Sequence, residues 1–120
     1  MPYVLTPYML FASSSDSYQL DKLIGHSPKT AAEAEFADTF AAATVELLGT
    51  LPGPKSLKSS SVYSQACLNH AISGSSFFYR TRTSAGASER DALLAWSEGA
   101  AGGGRDVDAC GTYNCGSGCG

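Results

Sequence analysis

Four cysteines, placed as Cys67 alone and then Cys110, Cys115 and Cys119 close together near the end, constrain this 120-residue chain more than any other feature. Four cysteines allow three internal pairings. In each of them Cys67 joins one tail cysteine and the other two join each other, so a fully paired fold ties the tail to the Cys67 segment. A bridge closing roughly 43 residues removes unfolded-state entropy worth about 4 kcal/mol in the simple loop model. Such bonds persist in oxidising compartments, which points to a secreted or extracellular chain. A structural zinc site asks for four ligands at suitable spacing. The tail has no C-x-x-C pair and no second ligand group nearby, so no metal or other cofactor is expected.

Apolar residues make up 43% of the chain, charged residues 16%, and the formal net charge is -3. This is the balance of an ordinary folded domain, not of a disordered or membrane segment. The eight lysines and arginines are scattered, and no run of them could track a phosphate backbone, so nucleic acid is not an expected partner. No stretch approaches the roughly 20 apolar residues that a bilayer crossing needs. The apolar passage Tyr3 to Ala12, followed by Ser13, Ser14 and Ser15, has some features of a cleavable leader. It lacks a positive n-region and holds Pro7, and a buried strand explains the same residues.

Tyr8-Met9-Leu10-Phe11-Ala12 is a continuous apolar run of strand length, expected to end in a polar loop at Ser13 to Asp16. Leu20, Leu23 and Ile24 then fall at helical spacing before Gly25, which predicts a short helix over Ser17 to Ile24. Thr30-Ala31-Ala32-Glu33 has the capping-box form and starts a longer helix. Its expected buried face is Phe36, Phe40, Ala43, Leu47 and Leu48, and Gly49 and Pro52 end it. Leu51 to Ser61 reads as a solvated connection. Ser61-Val62-Tyr63-Ser64 is weakly strand-like and leads to His70. Ser76 to Ser88 reads as loop, with Phe77, Phe78 and Tyr79 as a buried patch or a lip over a pocket. Ser88 can cap a last helix through Asp91 and Trp96 to Gly99, and residues 100 to 120 are a glycine-rich link and cysteine tail. The whole reads as one α/β domain over 1–120, with a few parallel strands and flanking helices.

Asp16 and His70 both follow short apolar strands. In open α/β sheets, ligands and catalytic groups gather beyond the carboxyl ends of strands. The order acid then histidine is that of the last two members of an α/β-hydrolase triad. On the residues alone, a hydrogen-bonded structural His70 is the better explanation of the pattern, by about four to one over catalysis. His26, in a helix-ending loop, reads as a surface residue, and Trp96 as core. Tyr18 and Gln19 either shape a pocket beside Asp16 or serve helix packing and capping.

Three segments resemble the pectin acetylesterase and Notum family. Tyr8 to Leu20 resembles that family's strand followed by an aspartate and an aromatic-glutamine pair, here Asp16, Tyr18 and Gln19. Val62 to His70 is similar to the strand leading to its serine-cysteine-x-x-histidine motif, with Cys67 and His70 in place. Val107 to Cys119 resembles its cysteine-closed tail, with Asp108 two residues before the first cysteine. The resemblance implies the C-terminal part of an α/β-hydrolase-like fold, in which Asp16 is the triad acid and His70 its base. The implied activity is hydrolysis of a carboxylic ester, with an acetylated glycan such as pectin as partner. Ala66 departs from the family's serine and Ala71 from its usual cysteine or glutamate, and the tail lacks the prolines of plant members. The nucleophile motif, glycine-cysteine-serine-alanine-glycine-glycine, does not occur, and Ser73-Gly74-Ser75 and Gly116-Ser117-Gly118 lack the strand and helix that would make them substitutes. On this reading the domain is incomplete and its serine lies in an upstream part. The competing readings are a small secreted disulfide-stabilised binding module and a non-catalytic hydrolase relative.

Overall fold

In the computed structural model of the chain, residues 7–51, 60–70, 72–99 and 104–119 are described. The first strand, β1 (Met9–Asp16), is followed by helices α1 (Ser17–Ile24) and α2 (Ala31–Thr50) and by strand β2 (Ser61–Asn69). A 3-10 turn at Ile72–Gly74, helices α3 (Phe77–Arg80) and α4 (Glu89–Ser97), and a short strand β3 (Arg105–Val107) complete the order. The three strands form one parallel sheet in the order β1-β2-β3. Parallel neighbours need crossover connections, and here helices supply both. This is a mixed α/β architecture with flanking helices. The leader-like start at Tyr3, the connection from Pro52, Ala71 and most of the glycine-rich link lie outside the described residues.

Both strands run further than their apolar cores indicate. β1 continues through Ser13, Ser14 and Ser15 to Asp16, where a loop was expected, because Ser13 pairs with Gln65, Ser15 with Leu68 and Asp16 with Asn69. Ser14 and Ser15 are almost fully buried. β2 likewise extends five residues past Ser64, to Asn69, with Gln65 and Cys67 buried. Between the pairs Ser13–Gln65 and Ser15–Leu68, β2 carries one residue more than β1, so Ser14 stands opposite both Ala66 and Cys67. The extra backbone groups of this bulge are satisfied by side chains. Gln65 Oε1 accepts from the Cys67 N–H at 3.1 Å, and the Ser13 hydroxyl donates to the Cys67 carbonyl at 2.5 Å.

The caps expected at Thr30 and Ser88 both form, each with its reciprocal acid, Glu33 and Asp91. α1 stops at Gly25, which takes the left-handed φ of 84° and donates its N–H to the Asp21 carbonyl. The buried face of α2 is only in part the expected one, with Leu48 the shared residue. Ala37, Ala41 and Leu48 are buried, whereas Phe36 and Leu47 are 44% and 63% exposed. The helix carries two apolar stripes, and the alanine stripe allows the closer approach to the sheet. Arg105 closes the far end of α2, its guanidinium donating to the carbonyls of Leu48, Gly49 and Leu51. Phe77–Arg80 is a short helix rather than loop. Its aromatic residues are not a buried patch, since Tyr79 is 59% exposed.

Cys67 pairs with Cys119 and Cys110 with Cys115. The tail then covers the edge of β2 beyond its short pairing with β3. Gly116 N–H donates to the Ala66 carbonyl at 2.8 Å, and Leu68 N–H donates to Asn114 Oδ1 at 2.8 Å. Two disulfides are consistent with an extracellular location. Among the described residues no helix is long and apolar enough to cross a membrane.

Candidate functional site

The register of β1 and β2 decides where the site lies. Asp16, last residue of β1, stands opposite Asn69, last residue of β2, so His70 emerges directly beside Asp16. The two carboxylate oxygens divide their work. Oδ1 accepts the Gln19 N–H at 2.9 Å and thereby caps α1, while Oδ2 lies 2.8 Å from Nδ1 of His70. Capping holds the carboxylate in the position where it meets the histidine. A carboxylate oxygen only accepts, so Nδ1 carries the hydrogen of this bond and Nε2 is left as the acceptor nitrogen.

The imidazole is also held through its face. Tyr18 stacks on it, with ring centroids 5.2 Å apart and planes 29° from parallel, and the Lys22 ammonium lies over the Tyr18 ring. Asp16 is mostly covered and His70 half-exposed, with side-chain exposures of 17% and 53%. One edge of the ring is therefore anchored while the other faces open space. Cys67, in β2 three residues before His70, ties this segment to the tail.

Asp16 and His70 open onto a cleft of about 220 Å3. Phe11 and Ala12 contribute its apolar part, and Gln65, Asn69, Ser73 and Glu89 its polar part. Gln65 and Asn69 hydrogen-bond each other at 3.1 Å through their side-chain amides. Glu89, first residue of α4, is fully buried, and burial raises the pKa of its carboxyl while the Ser73 hydroxyl bond partly offsets that rise. These four residues carry no motif of their own. Glu89 directly after a capping serine reads as an ordinary first-turn acid, and only the packing of α4 against the sheet places it here. Phe77, Phe78 and Tyr79, expected as a possible lip, do not line this cleft. Among the described residues no three His, Cys, Asp or Glu side chains gather as a metal site. His26 lies away from the cleft, with Nε2 3.5 Å from Glu33.

A carboxylate and a histidine at the carboxyl ends of neighbouring parallel strands, joined by helical crossovers, match part of an α/β-hydrolase-like fold. Among solved structures the chain is similar to that of the Wnt deacylase Notum from Drosophila. The TM-score is 0.79 at 18% identity, and the match covers 99% of this chain and 32% of that one. At this identity the likeness is one of fold, and this chain spans about a third of the length of that protein. No family model matches the sequence, and no curated protein matches it.

Proposed function

We propose that this chain is the acid- and histidine-bearing part of a secreted carboxylic ester hydrolase of the pectin acetylesterase and Notum kind, one that removes acetyl groups from a polysaccharide such as pectin. The observation that carries the reading is the 2.8 Å bond between Asp16 Oδ2 and His70 Nδ1 at adjacent strand ends, opening onto a cleft. The fold likeness to a deacylase and the order of acid and histidine support it.

The chemistry follows from the tautomer. A serine supplied by another part of a longer protein attacks the acyl carbon, and Nε2 of His70 takes the hydroxyl proton. The Asp16 carboxylate stabilises the imidazolium that forms and keeps the ring from turning. His70 then returns the proton to the departing alcohol oxygen, and water releases the acyl group by the same steps in reverse order. The Tyr18 stack limits tilting of the ring, and the Cys67–Cys119 bridge holds the strand end from which His70 projects.

The test is kinetic. In the full-length protein, His70→Ala abolishes hydrolysis of p-nitrophenyl acetate, and Asp16→Asn lowers kcat by roughly ten-thousand-fold. The 120-residue chain alone shows no hydrolysis above its His70→Ala control. Full activity in either variant of the longer protein removes the basis for the proposal.

A further inference from the structure

The strand that presents His70 is interrupted just before it. β2 bulges at Ala66 and Cys67, and its ladder with β1 resumes only at the pairs Ser15–Leu68 and Asp16–Asn69. On the other edge, β3 pairs with Val62, Tyr63 and Ser64 and reaches no further. The residues that carry the imidazole therefore need another support on that side, and the tail loop gives it. Asn114 Oδ1 accepts the Leu68 N–H at 2.8 Å, two residues before His70.

The backbone at 114 would favour a different residue. Its φ is 56°, and among the described residues it is the one non-glycine position in the left-handed region; the other positive-φ positions are Gly25, Gly86, Gly99, Gly111 and Gly118. Glycine takes that conformation without the steric cost of a Cβ. Asparagine tolerates it, and what it adds over glycine is a side-chain acceptor. That acceptor goes to a backbone donor 46 residues away in sequence. The loop around it is itself tethered. Cys110–Cys115 closes its ends, Tyr113 N–H donates to Asp38 Oδ1 of α2 at 2.7 Å, and Gly116 N–H donates to the Ala66 carbonyl. An acceptor on a tethered loop restrains the strand it bonds, whereas one on a free loop would follow it.

We propose that Asn114 is a positioning residue for His70, pinning the outer edge of β2 beyond the bulge so that the imidazole keeps its place against Asp16 while Nε2 takes and returns its proton. It acts through the Leu68 backbone and touches neither substrate nor reacting atoms. With that edge unpinned, the segment after the bulge can twist about its β1 pairs and carry the ring outside the roughly half ångström within which a catalytic group must be held. This role rests on the reading that Asp16 and His70 serve ester hydrolysis, and it adds a tail residue on which that step depends.

The experiment follows hydrolysis of p-nitrophenyl acetate by the full-length protein and three variants, each at its own pH optimum. Asn114→Gly keeps the left-handed backbone and removes the acceptor, Asn114→Asp keeps an acceptor, and Thr30→Ala weakens the cap of α2 away from the site. In Asn114→Gly kcat falls about 3-fold or more, the scale of one neutral hydrogen bond, while KM stays within about 2-fold; in Asn114→Asp and Thr30→Ala kcat shows no such fall. A smaller fall in Asn114→Gly, or the same fall in either of the other two, overturns the positioning role, even with His70→Ala inactive. Should the wild-type protein hydrolyse no ester, it is the hydrolase reading that fails. The positioning role is then decided by exchange with water of the His70 Nδ1 proton, followed by nuclear magnetic resonance in protein carrying nitrogen-labelled histidine. Exchange that quickens about 3-fold or more in Asn114→Gly and not in Asn114→Asp supports it, because the lost pin loosens the bond to Asp16; equal rates in wild type and Asn114→Gly overturn it. Asn114 is exposed and glycine suits its backbone, so this variant folds.

Discussion

Removing the two disulfides one at a time separates what each contributes. The Cys67–Cys119 bridge spans a sequence separation of 52, and the Cys110–Cys115 bridge a separation of 5. In the loop-entropy model the first is worth about 4 kcal/mol and the second about 2 kcal/mol. Replacing both cysteines of a pair by alanine avoids leaving a free thiol. The Cys67, Cys119 double variant is thus expected to lose about 2 kcal/mol more than the Cys110, Cys115 one. Cys67 is 1% exposed, so its truncation also leaves a small void, which adds up to about 1 kcal/mol in the same direction. Urea unfolding followed by circular dichroism, with midpoints and slopes fitted for all three proteins, measures the difference. Equal losses, or a greater loss from the Cys110, Cys115 pair, would refute the argument that loop length governs these bonds.

Four further outcomes follow. Burial raises the pKa of Glu89 above its ordinary 4.5, so the folded protein holds that proton more tightly than the unfolded chain. The resulting stability is complete below the unfolded value and is lost as pH rises through the folded one, so Glu89→Gln gains in Tm relative to wild type on going from acid to neutral pH. Arg105→Ala releases three carbonyls at the end of α2 and costs about 1 kcal/mol in denaturant unfolding, with Arg105→Lys recovering little, since one ammonium cannot span them. Gly118 has a φ of +79°, and a Cβ there would lie 2.8 Å from the Arg80 carbonyl oxygen. Gly118→Ala accordingly costs about 1–3 kcal/mol and speeds amide exchange at Arg82, whose N–H donates to the neighbouring Ser117 carbonyl. Thr30→Ala removes the hydroxyl that accepts the Glu33 N–H and lowers stability by about 1 kcal/mol, again read by unfolding.

Local chemistry was legible in the sequence where one side chain answers one backbone group. Thr30 with Glu33, Ser88 with Asp91, and Gly25 as a stop are of this kind, and the structure has each. The meeting of Asp16 with His70 could be anticipated from two strand ends, because parallel neighbours bring their carboxyl ends to one side of the sheet. What depends on tertiary packing was hidden. The serines of β1 carry no apolar signal, yet pairing with β2 keeps them in the strand. α2 offers both an aromatic and an alanine stripe, and periodicity alone cannot tell which one a sheet will accept. Glu89 and Ser73 lie 16 residues apart on separate elements, and no local pattern joins them.

The irregularity in β2 has a consequence for how this chain tolerates changes in length. A regular ladder continued from the Ser13–Gln65 pair would set Leu68, not Asn69, against Asp16, and the imidazole would overshoot its carboxylate by one residue, about 3.3 Å, and swing to the other side. The fold of backbone at Ala66 and Cys67 takes up that slack. Excising Ala66 would leave Asn69 aligned with Asp16, whereas an added residue between Gln65 and Leu68 would have nowhere to go. Shortening here should spare the acid–imidazole contact and lengthening should destroy it.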